Sequence, residues 1–367
     1  MNSTPTASGV SGVSGVSGAS DTPGMSDTPD MPGTSNTPRP PVTDPKRPRG
    51  PGNQHGPLAR VARHYGGIVA GLIGLCILFS VLSPTFLSVA NLLNIVMQVS
   101  IIAILGFGMT YVLLLGDIDL SVGATMAFVG TICAYALQHG APPALAVLAA
   151  LGTGLVLGLI NGSLSALLSI PSFIVTVATM GVFRGFAYIA SDGVPISVDS
   201  DAFAFLGNGA LLGVPVPIWI LAVLLLLNHF VLSRTVFGRK AYLAGGNREA
   251  AAYAGIDVGR LRIMIFMISG LLASIGGVLM TSRLYSAQPN TGMGYELDAI
   301  AAAVLGGTSL AGGYGTITGT LIGALIIGVI NNGMNLLSVP YFYQLIVKGI
   351  VILVAVCIDV QTKKRNA

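Results

Sequence analysis

From residue 67 to residue 360 the chain alternates between long apolar runs and short polar breaks. The runs are continuous and lack the two-residue alternation of a barrel strand, so they read as membrane-spanning helices. A spanning helix needs about 20 residues at ~1.5 Å rise each. The pattern predicts spans at 67–87, 91–115, 120–138, 143–166, 170–190, 214–232, 263–282, 296–312, 314–336 and 342–360. The third, fifth and eighth carry the weakest signal. The eighth is short and runs into Gly306, Gly307, Gly312, Gly313 and Gly315, which predicts a broken or re-entrant helix. Irregular backbone is tolerated at membrane depth where protein or a water-filled cavity surrounds it. The expected fold class is all-α: a polytopic transmembrane helical bundle of about ten spans. Eight spans with two re-entrant segments also fit.

Residues 1–64 are a different material. They hold eleven of the twenty prolines, a Ser-Gly-Val repeat from Ser8 to Gly18 and recurring Asp-Thr-Pro or Asn-Thr-Pro triplets. So few core-forming residues cannot offset the entropy of ordering, and the segment reads as a disordered tail. It has no apolar stretch of the kind a signal peptide needs. The expected organisation is a disordered cytoplasmic tail at 1–64, a membrane domain at 65–361 and a short basic C-terminus at 362–367.

Composition sharpens this picture. Hydrophobic residues make up 53% of the 367 and charged residues only 9%, against about 25% charged in soluble domains. Mean hydropathy is +0.79. Cys76, Cys133 and Cys357 all lie in apolar runs with no CxxC spacing, which excludes a disulfide framework. The net charge of +4 matters less than its placement. Lys46, Arg47, Arg49, Arg60 and Arg63 precede the first run; Arg234, Arg239, Lys240, Arg248, Arg260 and Arg262 occupy 233–262; Lys363, Lys364 and Arg365 close the chain. Segment 191–213 instead holds Asp192, Asp199 and Asp201 and no Lys or Arg. Cytoplasmic loops are enriched in basic residues. Ten spans with a cytoplasmic N-terminus put all three basic segments inside and the acidic one outside.

Two segments resemble each other. LGLINGSLSALLSIPSF (157–173) and IGVINNGMNLLSVPYF (327–342) share Ile-Asn, a Leu-rich stretch, then aliphatic-Pro and an aromatic. The span count places them at opposite membrane faces, as an inverted repeat does.

Candidate chemistry is sparse. There is no GxxxxGK[ST], so no P-loop for ATP, and the four histidines show no metal-binding spacing. The glycine-rich 306–320 contains no lysine and reads as close helix packing. No nucleic-acid partner is expected. In GDIDLSVG (116–123), Asp117 and Asp119 lie between apolar spans. They either line a path with a buried partner or cap the third helix, with Asp119 or Ser121 as N-cap. Arg184, inside an apolar run, either pairs with an aspartate, lines a cavity or snorkels to an interface. Glu296 and Asp298 read as caps of the eighth span. In the basic loop, GGNREAAAYAG reads as a short helix with Asn247 as N-cap, Glu249 in the first turn and Gly255 as its stop. It has nothing of its own to bury. It either rests on the bilayer or fits a groove on another protein, and Ala251 is expected on that packed outer surface.

These same strings carry a family resemblance. GDIDLSVGA, NGSLSALLSIPSFIVTVATMGVFRG, FGRKAYLAGGNREAAAYAGIDVGRLRI and YELDAIAAAVLGGTSLAGGYGTITGTLIGALIIGVINNG resemble bacterial ABC importer permeases of the ribose, xylose, arabinose and galactose type. The resemblance runs from about residue 67 to 360 and does not include the tail. It implies the ten-helix fold of the cobalamin-importer class (type II) and a non-catalytic subunit that forms the translocation path in the bacterial inner membrane. It implies a second permease copy or paralogue, a periplasmic sugar-binding protein and an ABC ATPase subunit with two fused nucleotide-binding domains. That ATPase subunit, and not this chain, would bind ATP and Mg. The ATPase-coupling loop would comprise Asn247, Arg248, Glu249, Ala250, Ala251, Ala254 and Gly255. A neutral sugar needs hydroxyl and amide partners, so the candidates along the path are Asn161, Ser163, Ser172, Thr176, Asn331 and Asn332, and Asp119 and Ser121 of the polar cluster are placed with them. Ordinary interhelical hydrogen bonding is the competing role for each. The rival functions are a permease for another solute (branched-chain amino acid, nucleoside, polyol), an ion-coupled secondary transporter using Asp117, Asp119 or Arg184, and a channel or scaffold.

The charge asymmetry predicts that topology reporters fused within 191–213 read periplasmic and those within 240–258 or after 361 read cytoplasmic. A cytoplasmic signal from residue 200 breaks the ten-span reading.

Overall fold

The computed structural model describes residues 57–366; residues 1–56, most of the expected tail, lie outside the described residues. Helix α1 (Pro57–Leu82) begins inside that expected tail. Proline is favoured in the first helical turn because its φ is preset and its missing N–H is not needed there. In chain order follow α2 (Val89–Leu114), α3 (Val122–Gln138), α4 (Pro143–Leu167), α5 (Ser172–Ala190), β1 (Ile196–Ser197), α6 (Asp201–Asn208), β2 (Ala210–Leu211), β3 (Val214–Pro215) and α7 (Val216–Arg234). Then come α8 (Val236–Gly246), α9 (Arg248–Tyr253), α10 (Val258–Leu284), β4 (Ser286–Ala287), α11 (Tyr295–Leu305), α12 (Ile317–Leu336) and α13 (Tyr341–Asn366). Helix α13 therefore takes in most of the segment expected as a separate basic C-terminus. The strands are two-residue pieces: β1 pairs antiparallel with β4, and β2 with β3.

The protein is a polytopic helical membrane protein. Among the described residues α2, α4, α5, α7, α10 and α12 are long and apolar enough to cross a bilayer, and Gly66–Leu82, Val122–Gln138 and Tyr341–Val354 are shorter apolar helical stretches. The eighth predicted span, 296–312, is not a continuous helix. Helix α11 has 11 residues, about 16 Å at 1.5 Å per residue, against a hydrocarbon core of about 30 Å. Irregular backbone precedes it from 288 to 294 and follows it from 306 to 316. The glycines explain the break: Gly292, Gly294, Gly307, Gly312 and Gly313 all have positive φ, which a regular right-handed helix cannot contain.

The core is organised around α2 and α10. Helix α10 packs on α3 and α4, and α2 packs on α11 and α12; α3 packs on α5, and α11 on α13. The series α2–α5 and α10–α13 thus use equivalent contacts, each leading helix resting on the other half. The repeated sequence motif builds the same turn in both. Ser169 (φ 54°) precedes Ile170-Pro171 and α5, and Ser338 (φ 52°) precedes Val339-Pro340 and α13. The two turns lie at opposite ends of α2. Just past its last residue, the Ile118 N–H donates to Ser172 Oγ at 3.1 Å. Near its first residue, Asn91 and Asn332 exchange two amide hydrogen bonds of 3.0 and 2.9 Å. The repeat is therefore inverted.

Between helices in lipid there is little hydrophobic gain, so small residues and close packing hold the bundle. On α4, Gly154, Gly158 and Gly162 face the α10 backbone; a Cβ on Gly158 would lie 2.8 Å from Met267 Cα and closer still to the Phe266 carbonyl. We expect Gly158→Leu to lower stability by about 1–3 kcal/mol through overpacking. Gly152→Leu, on the exposed side of α4 with open space around it, should change nothing. Thermal unfolding in detergent measures both.

Candidate functional site

The short helix α9 is closed at both ends by its own sequence. Asn247 has extended backbone (φ −154°), and its side chain accepts the Ala250 N–H at 2.9 Å. Glu249 lies in the first turn, where a negative charge suits the positive helix end. Gly255 has φ +78°. Its N–H reaches the Ala252 carbonyl and that of Ile256 reaches Ala251, each at 3.0 Å, the paired bonds of a Schellman stop.

The outward face differs from the expectation. Ala251 is buried, only 4% exposed, against its own chain. A helix pinned at both flanks must turn one side of each turn inward, and the smallest side chain takes that place. Glu249, Ala250, Ala252, Tyr253 and Ala254 are exposed, and Tyr253 is 92% exposed. Tyr253 was missed in the sequence, although an aromatic among alanines on a surface helix is itself a signal.

Beside α9 lies the break between α2 and α3, residues 115–121. Asp117 is buried and holds two arginines. Arg262 Nε, at the start of α10, lies 2.8 Å from its Oδ2, and Nη2 of Arg248, the first residue of α9, lies 3.0 Å from its Oδ1. Arg248 also donates to the Leu115 carbonyl at 2.7 Å, and Arg262 to the Ser165 carbonyl at 3.0 Å. Asp117, Arg248 and Arg262 line a cavity of about 310 Å³ together with Ser169, Pro171 and Ser172.

Asp119 neither caps α3 nor meets Arg184. Ser121 stands at the N-cap position of α3, and it makes no side-chain cap bond. Arg184 donates to the Pro289 and Thr291 carbonyls at 2.8 and 2.5 Å. Those carbonyls belong to irregular backbone, which needs donors that no helix supplies. Asp119 instead accepts the Ser121 N–H at 3.0 Å, the Ser121 hydroxyl at 2.6 Å and the Ser269 hydroxyl at 2.8 Å. Asn161 Nδ2 completes the cluster by donating to Ser121 Oγ at 2.8 Å. Ser172 and Thr176 bond the two sides of Ile118, its N–H and its carbonyl, at 3.1 and 3.2 Å.

The structure thus gathers Asp119, Ser121, Asn161, Ser172 and Thr176 around one break. Ser163 is half-buried on α4. Asn331 and Asn332 stand elsewhere: Asn332 holds Asn91, and Asn331 donates to Asp298 Oδ2 at 3.3 Å. Asp298 is not a cap. It is buried on α11 and pairs with Lys348 Nζ of α13 at 2.9 Å. Glu296 does serve the helix start, accepting the Gly294 N–H at 3.1 Å. Sequence reasoning passed over Lys348, although a lysine inside the last apolar run is the kind of residue that demands a partner. We expect Lys348→Met to cost about 3 kcal/mol by stranding the Asp298 charge, and a further Asp298→Asn to restore most of it. Melting temperatures of the two variants in detergent decide this.

Comparisons with known proteins follow the same residues. Residues 91–356 match the family model described as branched-chain amino acid transport system / permease component. The chain is 48% identical over 312 residues to the ribose import permease protein of Bacillus subtilis (strain 168), covering 83% of this chain and 96% of that protein. The ribose import permease protein of Escherichia coli (strain K12) is 45% identical over 78% of this chain and 91% of its own length. The L-arabinose transport system permease protein of the same strain is 39% identical over 82% and 92%. A solved inward-facing conformation of a metal-chelate type ABC transporter is similar at TM-score 0.42 and 16% identity, covering 73% of this chain and 89% of that one.

Proposed function

Because the chain belongs to the branched-chain amino acid transport system permease family, we propose that it is the membrane-spanning subunit of an ATP-driven importer for a pentose such as ribose. The solute class rests on the ribose permeases matched at 48% and 45% identity over nearly their whole length. The coupling role rests on one observation: α9 is a doubly capped helix whose outer face, centred on Tyr253, is covered by nothing among the described residues.

In this reading the chain lies in the bacterial inner membrane with both termini in the cytoplasm. It does no chemistry. A separate ATPase subunit, with two nucleotide-binding domains in one chain, binds ATP and Mg and receives α9 in a groove. A periplasmic binding protein delivers the sugar, and a second permease copy or paralogue completes the path in the type II, ten-span arrangement. The ATPase cycle drives the permease by binding one of its two states better than the other. A neutral solute needs no fixed counter-charge. Two of the buried carboxylates suit this, since Asp117 and Asp298 are already paired with Arg262 and Lys348, while Asp119 is held by hydroxyl and amide donors alone.

Reconstitution with the ATPase and binding protein should give uptake of radiolabelled ribose that needs ATP. Leucine should not compete, and an ion gradient alone should not drive uptake. Tyr253→Arg should leave the permease at its normal level in the membrane, reduce ATPase co-purification and abolish uptake. If α9 only lies on lipid, the added basic residue is harmless, and unchanged co-purification removes the coupling assignment.

A further inference from the structure

We propose that Asp117 is the positioning residue through which movement of α9 reaches the helices around the path. The proposal rests on the reading of α9 as the ATPase-facing helix. One carboxylate is shared between the surface and the interior: Oδ1 meets Arg248 of α9 at 3.0 Å, while Arg262 of α10 spans both oxygens, with Nε 2.8 Å from Oδ2 and Nη2 3.3 Å from Oδ1. The two arginines are not equivalent. The Arg262 side chain is 13% exposed and also held by the Ser165 carbonyl of α4. The Arg248 side chain is 47% exposed. Asp117, at 5%, cannot stand alone in the interior. Arg262 is therefore its permanent partner, and Arg248, which can return to water at small cost, is the exchangeable arm.

What Arg248 grips is the break that ties four helices together. It holds the Leu115 carbonyl at the end of α2 as well as Asp117. The residues that follow are anchored in turn: Ile118 to α5 through Ser172 and Thr176, Asp119 to α10 through Ser269, and Ser121 to α4 through Asn161. Backbone contact supports the same joint, since a Cβ on Gly245, just before α9, would lie 2.7 Å from the Gly313 nitrogen and run into the Leu114 carbonyl. A shift of α9 thus either drags residues 115–121 along or releases Arg248. Both change which contacts hold α2, α4, α5 and α10.

The test uses the full complex of permease, ATPase and binding protein in proteoliposomes. Arg248→Gln should retain membrane level and ATPase co-purification but lower ribose uptake about tenfold, within the range for residues on a coupling network; Asp117→Asn, which also strands Arg262, should lower uptake at least as far and reduce the membrane level. ATP hydrolysed per ribose moved should rise correspondingly. The double variant should be little worse than Asp117→Asn alone, because that change already removes the Arg248–Asp117 contact. Arg248→Lys should restore uptake only in part, since a lysine lacks the fork that reaches both acceptors. Retained uptake in Arg248→Gln overturns the proposal. So does co-purification that falls in step with uptake, which would make Arg248 a docking contact alone. If Asp117→Asn does not reach the membrane, Arg248→Gln and Arg248→Lys still decide it. A wild-type chain that fails to co-purify with the ATPase refutes instead the reading of α9 as the ATPase-facing helix.

Discussion

Inside a bilayer a peptide group that leaves a helix has no water to bond, and its partner must come from the protein. Where this chain leaves its helices, its own side chains supply such partners. The backbone breaks at 115–121, 288–294 and 306–316, and polar side chains close each break. Arg248 serves the Leu115 carbonyl, Ser172 and Thr176 serve Ile118, and Asp119 serves the Ser121 N–H. Arg184 serves Pro289 and Thr291, Glu296 serves Gly294, and Tyr242 donates to the Gly315 carbonyl at 2.6 Å. The residues that stand out in the sequence as chemically unusual are first of all repairs to the main chain.

The second theme is local compensation of charge. Asp117 with Arg262 and Asp298 with Lys348 are buried ion pairs, each braced by further hydrogen bonds. Such pairs contribute little net stability against an apolar alternative, yet losing one partner is expensive. They therefore fix which helices meet more than they strengthen the meeting. The pair on α11 and α13 locates a helix too short to span the membrane, and the pair on α10 locates the break that follows α2.

The helices, the weak eighth span and the inverted repeat were legible in the sequence because each leaves a local mark: apolar length, a cluster of glycines, a repeated Leu-Ser-x-Pro turn. The caps of α9 were legible for the same reason, with Asn247 and Gly255 at the two ends of a short polar segment. Pairing was not. Asp117, Arg248 and Arg262 were each visible as charges, but their meeting depends on how α2, α9 and α10 come together across 131 and 145 residues of chain. The direction of Ala251 was hidden too. Helical periodicity says which residues share a face, but not which face turns inward when the helix is shorter than two turns.

The amide pair at the far end of α2 gives the helix a fulcrum. Asn91 and Asn332 hold each other by two hydrogen bonds, while the opposite end is gripped from the surface by Arg248. From Asn91 to Leu115 the helix is about 36 Å long at 1.5 Å per residue, so a tilt of about 5° swings the gripped end by about 3 Å. Yet α2 cannot swing alone, because it is buried along most of its length and its Thr110 hydroxyl lies 2.6 Å from that of Thr320 on α12. Displacing α2 would therefore mean moving α12 with it and sliding the close contact between Gly108 and Ser269 of α10.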